Sequence, residues 1–124
     1  MSDSPVEGPV HGTVTWFEIG TSDMTRARDF WSGLFGWQVQ GPPEVYLSLQ
    51  PEGGAQGGIL PVPADRAYAT FAVQVEDVDA AAARATSLGA TVVVPPEDNP
   101  GGVRSAYLRD PDGSLFAVYR PPAR

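Results

Sequence analysis

The sequence predicts an α+β fold: two βαβββ modules forming an open, cup-shaped mixed β-sheet barrel with the helices outside. Three observations lead there. A strand-then-helix pattern opens the chain and returns 54 residues later; each copy runs on into short extended pieces broken by Gly and Pro; and an Asp-Pro-Asp-Gly turn closes the second copy as a hairpin. The modules are expected over 12–60 and 68–120, within a single domain over 12–124. A linker over 61–67 joins them, and a flexible N-terminal tail over 1–11 precedes them.

Residues 12–20, GTVTWFEIG, alternate and are rich in β-branched and aromatic side chains, as a half-buried strand requires. Phe17 and Ile19 share one face, Trp16 and Glu18 the other. The period then changes. In TSDMTRARDFWSGLFG, Met24, Ala27, Trp31 and Leu34 recur at helical spacing, with Ser22 or Asp23 as the N-cap and Gly36 placed to end the helix. Extended pieces follow around WQV, EVYLSL and GGIL, and Pro61 and Pro63 favour an extended connector. The second copy, YATFAVQVEDVDAAAARATSLGATVVV, superposes on the first so that Trp16 falls on Thr70, Met24 on Val78, Trp31 on Ala85 and Leu34 on Leu88. Phe71, Val73 and Val75 take over the helix-facing role of Phe17 and Ile19. In the last hairpin, GGVRSAYLRDPDGSLFAVYR, Pro111 sets the turn and Gly113 can take a positive φ.

Composition narrows the function. The 124 residues, 42% hydrophobic, suffice for one well-buried domain. Eight Lys and Arg against 15 Asp and Glu give a formal net charge of -7, which repels nucleic acid and anionic lipid surfaces. With no cysteine, disulfides, thiolate metal sites and a Cys nucleophile are all excluded. No run approaches the roughly 20 apolar residues of a membrane span, and MSDSPVEGPVHG is acidic with no apolar core for a signal peptide. A cytoplasmic protein is expected.

If Phe17, Ile19, Phe71, Val73, Phe116 and Val118 pack beneath the helices, alternation sends their neighbours into the cup. The expected ligand-binding set is Trp16, Glu18, Tyr46, Thr70, Gln74, Tyr107, Ala117 and Tyr119, with Ala72 and Leu115 beside them. Such a set, aromatic, small and sparingly polar, suits recognition of a planar or hydrophobic molecule; the competing reading is that strand aromatics are simply core. Glu18 is the candidate catalytic residue, since a carboxylate desolvated among aromatics has a raised pKa and can act as base or anchor. Its bland alternative is a strand-end glutamate reaching water. His11 is the sole histidine and is expected to be solvated in the tail, so counting excludes a two-His or three-His site within one chain. Glu52, in the Gly-rich PEGGAQGG loop, is expected to be exposed, the loop being either a lid or a set of turns. No G-x-S-x-G elbow occurs, and GGAQGG precedes a strand instead of the helix a phosphate loop needs.

The first strand followed by SDMTRARDFWSGLFGW, then VEDVDAAAARATSLGA and the final DPDGSLFAVY, together resemble the vicinal oxygen chelate superfamily. Glyoxalase I, bleomycin-resistance proteins and extradiol dioxygenases belong to it. The resemblance covers nearly all of 12–120, and GGILP and PPEDNPGG are similar to stretches of actinobacterial members. It implies the βαβββ duplication, a cup-shaped site and often a homodimer. In metal-dependent relatives a His, a second His or Gln/Glu, and a Glu stand at positions that map to Trp16, Thr70 and Ala117. An indole N–H only donates, a neutral threonine hydroxyl binds divalent ions weakly and alanine offers nothing, so no metal and no cofactor are expected. The leading expectation is a metal-independent protein binding a hydrophobic or aromatic metabolite or antibiotic, with Trp16, Tyr107 and Tyr119 stacking on it. Glu18 and the aromatic faces would also favour a cation. The alternative is a lyase, isomerase or dioxygenase of the same superfamily working through Glu18 without a metal or through ligands that the motifs do not reveal; a third is an interaction module whose pocket is vestigial. A small molecule and a second copy are the expected partners, with no nucleic acid and no membrane.

Overall fold

A computed structural model describes residues 11–122, so the expected tail lies, His11 apart, outside the described residues. Two βαβββ runs follow one another. The first comprises β1 (Thr13–Thr21), α1 (Met24–Phe35), β2 (Gln38–Gln40), β3 (Leu47–Gln50) and β4 (Gln56–Pro61). The second comprises β5 (Tyr68–Gln74), α2 (Val78–Ser87), β6 (Thr91–Asp98), β7 (Arg104–Arg109) and β8 (Leu115–Arg120). The connector is not wholly extended, because Ala64–Arg66 make one turn of 3-10 helix. Among the described residues, 15–71 form one compact unit and 11–14 with 72–122 form the other. The division falls inside β5 because Tyr68 packs over Gly20 of β1, whereas Gly12 donates its N–H to the Gln74 carbonyl at 2.7 Å.

In the unit 15–71, β1 pairs in parallel with β4, and β4, β3 and β2 pair antiparallel in turn. Asp23, and not Ser22, is the N-cap of α1: its carboxylate accepts the Arg26 N–H at 3.0 Å. Gly36 ends the helix at φ 72°, donating to the Ser32 carbonyl. Ile19, Ala27, Leu47, Leu49 and Ile59 form the core, with Phe17, Met24, Trp31, Trp37 and Val39 packed against them. Leu34 departs from expectation. It lies on the right stripe of α1 yet is 59% exposed, because the last turn of the helix overhangs that core.

In the other unit, β5 pairs in parallel with β8, and β8, β7 and β6 pair antiparallel. Asp77 caps α2 by accepting the Ala80 N–H at 3.0 Å. Val75, Val78, Ala82, Ala106, Leu108 and Val118 form its core, joined by Val73 and Phe116. Two more expected core positions fail. Leu88 of this unit is 62% exposed because it is the C-cap, beyond the last helical turn, and Phe71, the last residue of the 15–71 unit, is 47% exposed. Arg104 ties the unit together, reaching Asp79 of α2 at 2.7 Å and Asp98 of β6 at 3.1 Å. Its hydrogen bonds hold the Asp79 carboxyl below the usual carboxylate range. In the closing turn, Asp110 accepts the N–H groups of Asp112 and Ser114, and Gly113 takes φ 92°.

Parity is therefore settled in both units. Odd positions of β1 and β5, and even positions of β7 and β8, face the helices; their neighbours face away. Ile59 is fully buried between Ile19 and Leu47. Ile59→Ala should lower unfolding free energy by about 2–5 kcal/mol, read from urea denaturation, whereas Leu34→Ala should change it by less than about 1 kcal/mol.

Candidate functional site

On the face of β1 turned away from α1, Trp16, Glu18 and Gly20 stand in line. Glu18 sits opposite Gly58 of β4, which in turn sits opposite Ser48 of β3. The two glycines make a bare floor. A Cβ at Gly58 would collide with the hydroxyl end of the Tyr46 ring, and one at Gly20 would come within 2.5 Å of the Tyr68 ring. Both rings therefore occupy space that a side chain would fill, and their hydroxyls reach Glu18.

The bonds form a directed chain. Trp16 donates Nε1–H to the Tyr46 hydroxyl at 3.2 Å, Tyr46 donates to Glu18 Oε2 at 3.4 Å, and Tyr68 donates to Glu18 Oε1 at 3.4 Å. Both phenol–carboxylate distances are long against the usual O–H···O separation of about 2.7–2.8 Å. Glu18 is 9% exposed, so it is a buried carboxylate and not a strand-end glutamate in water. Burial pushes the Tyr46 phenol well above its ordinary range, and the charge of Glu18 pushes it further, while the Trp16 hydrogen bond pulls the other way.

Of the eight expected ligand-binding residues, Trp16, Glu18 and Tyr46 are thus bonded together, and Thr70 lies on β5 at the same parity as Tyr68. Gln74, Tyr107, Ala117 and Tyr119 belong to the other unit and share its helix-free face. There Gln74 is paired with Tyr119, and Ala117 with both Ala72 and Tyr107. Ala117 is 4% exposed. Tyr68 is the residue that the expected set lacks. The alternation that places Thr70 on this face places Tyr68 there too, so strand parity was sufficient to find it.

His11 is exposed but not merely solvated: its Nδ1 accepts the Glu76 N–H at 3.3 Å. It borders a shallow cleft of about 460 Å³ with Asp77, Arg84, Leu88 and Phe116. The cleft is the weaker candidate, because Asp77 is committed to capping α2 and His11 to the Glu76 backbone. Glu52 is exposed in the loop between β3 and β4. The metal positions of the superfamily do not fit an ion here. Trp16 turns an N–H, not a lone pair, toward its neighbours; Ala117 has no donor atom; and among the described residues no three His, Cys, Asp or Glu side chains come together. No helix among the described residues is long and apolar enough to cross a membrane.

Comparison with known proteins agrees with this architecture. Residues 16–119 match the family described as Glyoxalase-like domain, and the chain belongs to that family and so to the vicinal oxygen chelate superfamily. It is 30% identical over 129 residues to the anthracycline biosynthesis proteins DauV of Streptomyces sp. (strain C5) and DnrV of Streptomyces peucetius. Those alignments cover 88% of this chain and 47% of each relative, so the chain spans about half the length of these curated relatives. Among solved structures, it shares its fold with a glyoxalase/bleomycin resistance protein/dioxygenase superfamily member from Vibrio splendidus 12B01. The TM-score is 0.63 at 18% identity, covering 88% of this chain and 98% of that one. A Streptomyces coelicolor methylmalonyl-CoA epimerase in complex with 2-nitronate-propionyl-CoA gives a TM-score of 0.60 at 16% identity, covering 91% and 99%.

The Tyr46 environment is directly measurable. Alkaline titration followed by phenolate absorbance should show Tyr46 silent where exposed tyrosine ionises, near pH 10, so that Tyr46→Phe leaves that part of the curve unchanged. Because the unfolded phenol ionises first, this residue's contribution to stability is whole below about pH 10 and falls as pH rises beyond it. Gly58→Ala should displace the ring, add one phenol to the ordinary titration step and cost about 1–3 kcal/mol.

Proposed function

We propose that the chain binds a small hydrophobic or aromatic molecule, without a metal, on these helix-free strand faces. In the 15–71 unit Trp16 is the stacking surface and Glu18 the polar anchor, with Tyr46 and Thr70 beside them; in the other unit Tyr107 and Tyr119 are the stacking surfaces, with Gln74 and Ala117 beside them. One observation carries the reading: a carboxylate only 9% exposed is held by two phenols and, through one of them, an indole, over a floor of glycine. A strand whose outer face served packing alone would gain nothing by desolvating Glu18, which is costly in free energy. Similarity to two proteins named for anthracycline biosynthesis supports a planar aromatic ligand. A second copy of the chain is the protein partner in this reading, the setting is cytoplasmic, and the net charge of -7 disfavours nucleic acid.

Isomerase or lyase chemistry with Glu18 as the base is the second reading, favoured by the burial of that carboxylate. Turnover of methylmalonyl-CoA that disappears in Glu18→Gln would put it first. For the binding reading, thermal unfolding with a panel of anthraquinones and related planar aromatics should show a dose-dependent rise in Tm. A ligand at a hundred times its Kd stabilises by about 2.7 kcal/mol. Trp16→Ala should abolish the shift and His11→Ala should retain it; no shift across the panel, or one unaffected by Trp16→Ala, overturns the proposal.

A further inference from the structure

We infer that the outer face of α1 is where two copies of the chain meet, their helices antiparallel. The inference rests on the second copy named in the reading above and gives it a surface. Phe30, Leu34 and Phe35 are 57%, 59% and 54% exposed. The two phenylalanines join through Trp31: Phe30 meets it edge-on with ring centroids 5.2 Å apart, and Phe35 stacks on it at 6.0 Å. Three half-bare side chains of this size leave on the order of 300 Å² of apolar surface on one short helix, as much as the largest patch of an ordinary monomer. Gly33 shares a face with Arg26, Phe30 and Leu34. A glycine inside a helix weakens it relative to alanine, and a Cβ at Gly33 would meet nothing within 4 Å, so no packing among the described residues calls for it. A second surface drawn close against the helix does call for it.

Charge says what covers this face. The chain carries a net charge of -7, yet residues 23–35 hold two acids, Asp23 and Asp29, and two bases, Arg26 and Arg28. The whole excess lies elsewhere, so α1 is a face on which two copies approach without like-charge repulsion. The helix dipole sets the direction. Both arginines sit in the first half of α1, and its last turn has no basic residue to answer the carbonyl end. Antiparallel packing about a two-fold axis brings Arg26 of each copy beside the other's last turn and seats the apolar side chains of one helix over Gly33 of the other. A lipid surface fits worse, because a membrane-binding face sets its aromatics among excess basic charge, and here the charges cancel. One short helix buries less than the roughly 800 Å² per partner of a standard interface, so the dimer is weak and depends on concentration.

Sedimentation velocity of the full chain, from micromolar to millimolar protein, tests this. The mass should climb from 13.1 kDa toward twice that value. Leu34→Glu and Gly33→Gln should each weaken association by at least about tenfold. Gly33→Gln should at the same time raise the Tm of the dilute monomer, because glutamine favours helix, and a loss of association through misfolding would lower it. Arg26→Glu should weaken the dimer by a few-fold; a dimer that it leaves as tight as before overturns the antiparallel arrangement. A dimer that Leu34→Glu and Gly33→Gln leave intact overturns the surface alone, whereas a chain monomeric throughout overturns the second copy as well. Adsorption to phosphatidylcholine vesicles that Leu34→Glu abolishes would assign the face to lipid and overturn the proposal. Ligand binding, read separately by thermal shift, stands or falls independently of these results.

Discussion

Parallel pairing of the first and last strands of each βαβββ run, β1 with β4 and β5 with β8, is the constraint from which the rest follows. Parallel neighbours cannot be joined by a tight turn, so the chain must travel back across the sheet, and here a helix makes part of that journey. A helix laid over one face buries every second residue of the strands beneath it. The remaining residues are left to a face with no helix of its own unit, and Trp16, Glu18, Tyr107 and Tyr119 are all among them.

On that face of the 15–71 unit the chemistry runs opposite to the superfamily's metal-binding plan. Where a metal-dependent relative offers a histidine lone pair to a cation, this chain offers the N–H of Trp16 to a phenol oxygen. The carboxylate lies two residues along β1, at Glu18, and accepts hydrogen bonds from two phenols. Desolvating that carboxylate is offset by hydrogen bonds from two phenols, of which Tyr46 is held protonated by its own burial. The glycine floor makes the geometry possible, since rings that must reach a strand carboxylate from the side need space that side chains would otherwise fill.

Alternation and the 54-residue repeat made the strand faces, the helix caps and the order of elements legible in the residues alone. Alternation is local, and it survives wherever one sheet face is buried. Leu34, Leu88 and Phe71 mark where it stops being enough: each has the right phase, but each lies at the end of its element or unit, and such ends depend on tertiary reach. The same holds at the site. Trp16, Glu18 and Tyr46 could be proposed from position, whereas their mutual bonding depends on Gly58 facing Glu18 across β1 and β4, a register that pairs residues forty apart and leaves no local trace.

The three tryptophans divide between two unlike environments. Trp31 and Trp37 lie with ring centroids 5.9 Å apart and planes within 4°, flanked by Phe35, in a stack that fastens α1 to the start of β2. Transitions in two indoles so disposed couple, and their near-ultraviolet circular dichroism belongs to the pair, not to either ring. Trp16, on the far face of the same sheet, is coupled instead to an oxygen lone pair. The protein thus carries two separate optical reporters within one unit, one for the seating of its helix and one for the state of its carboxylate.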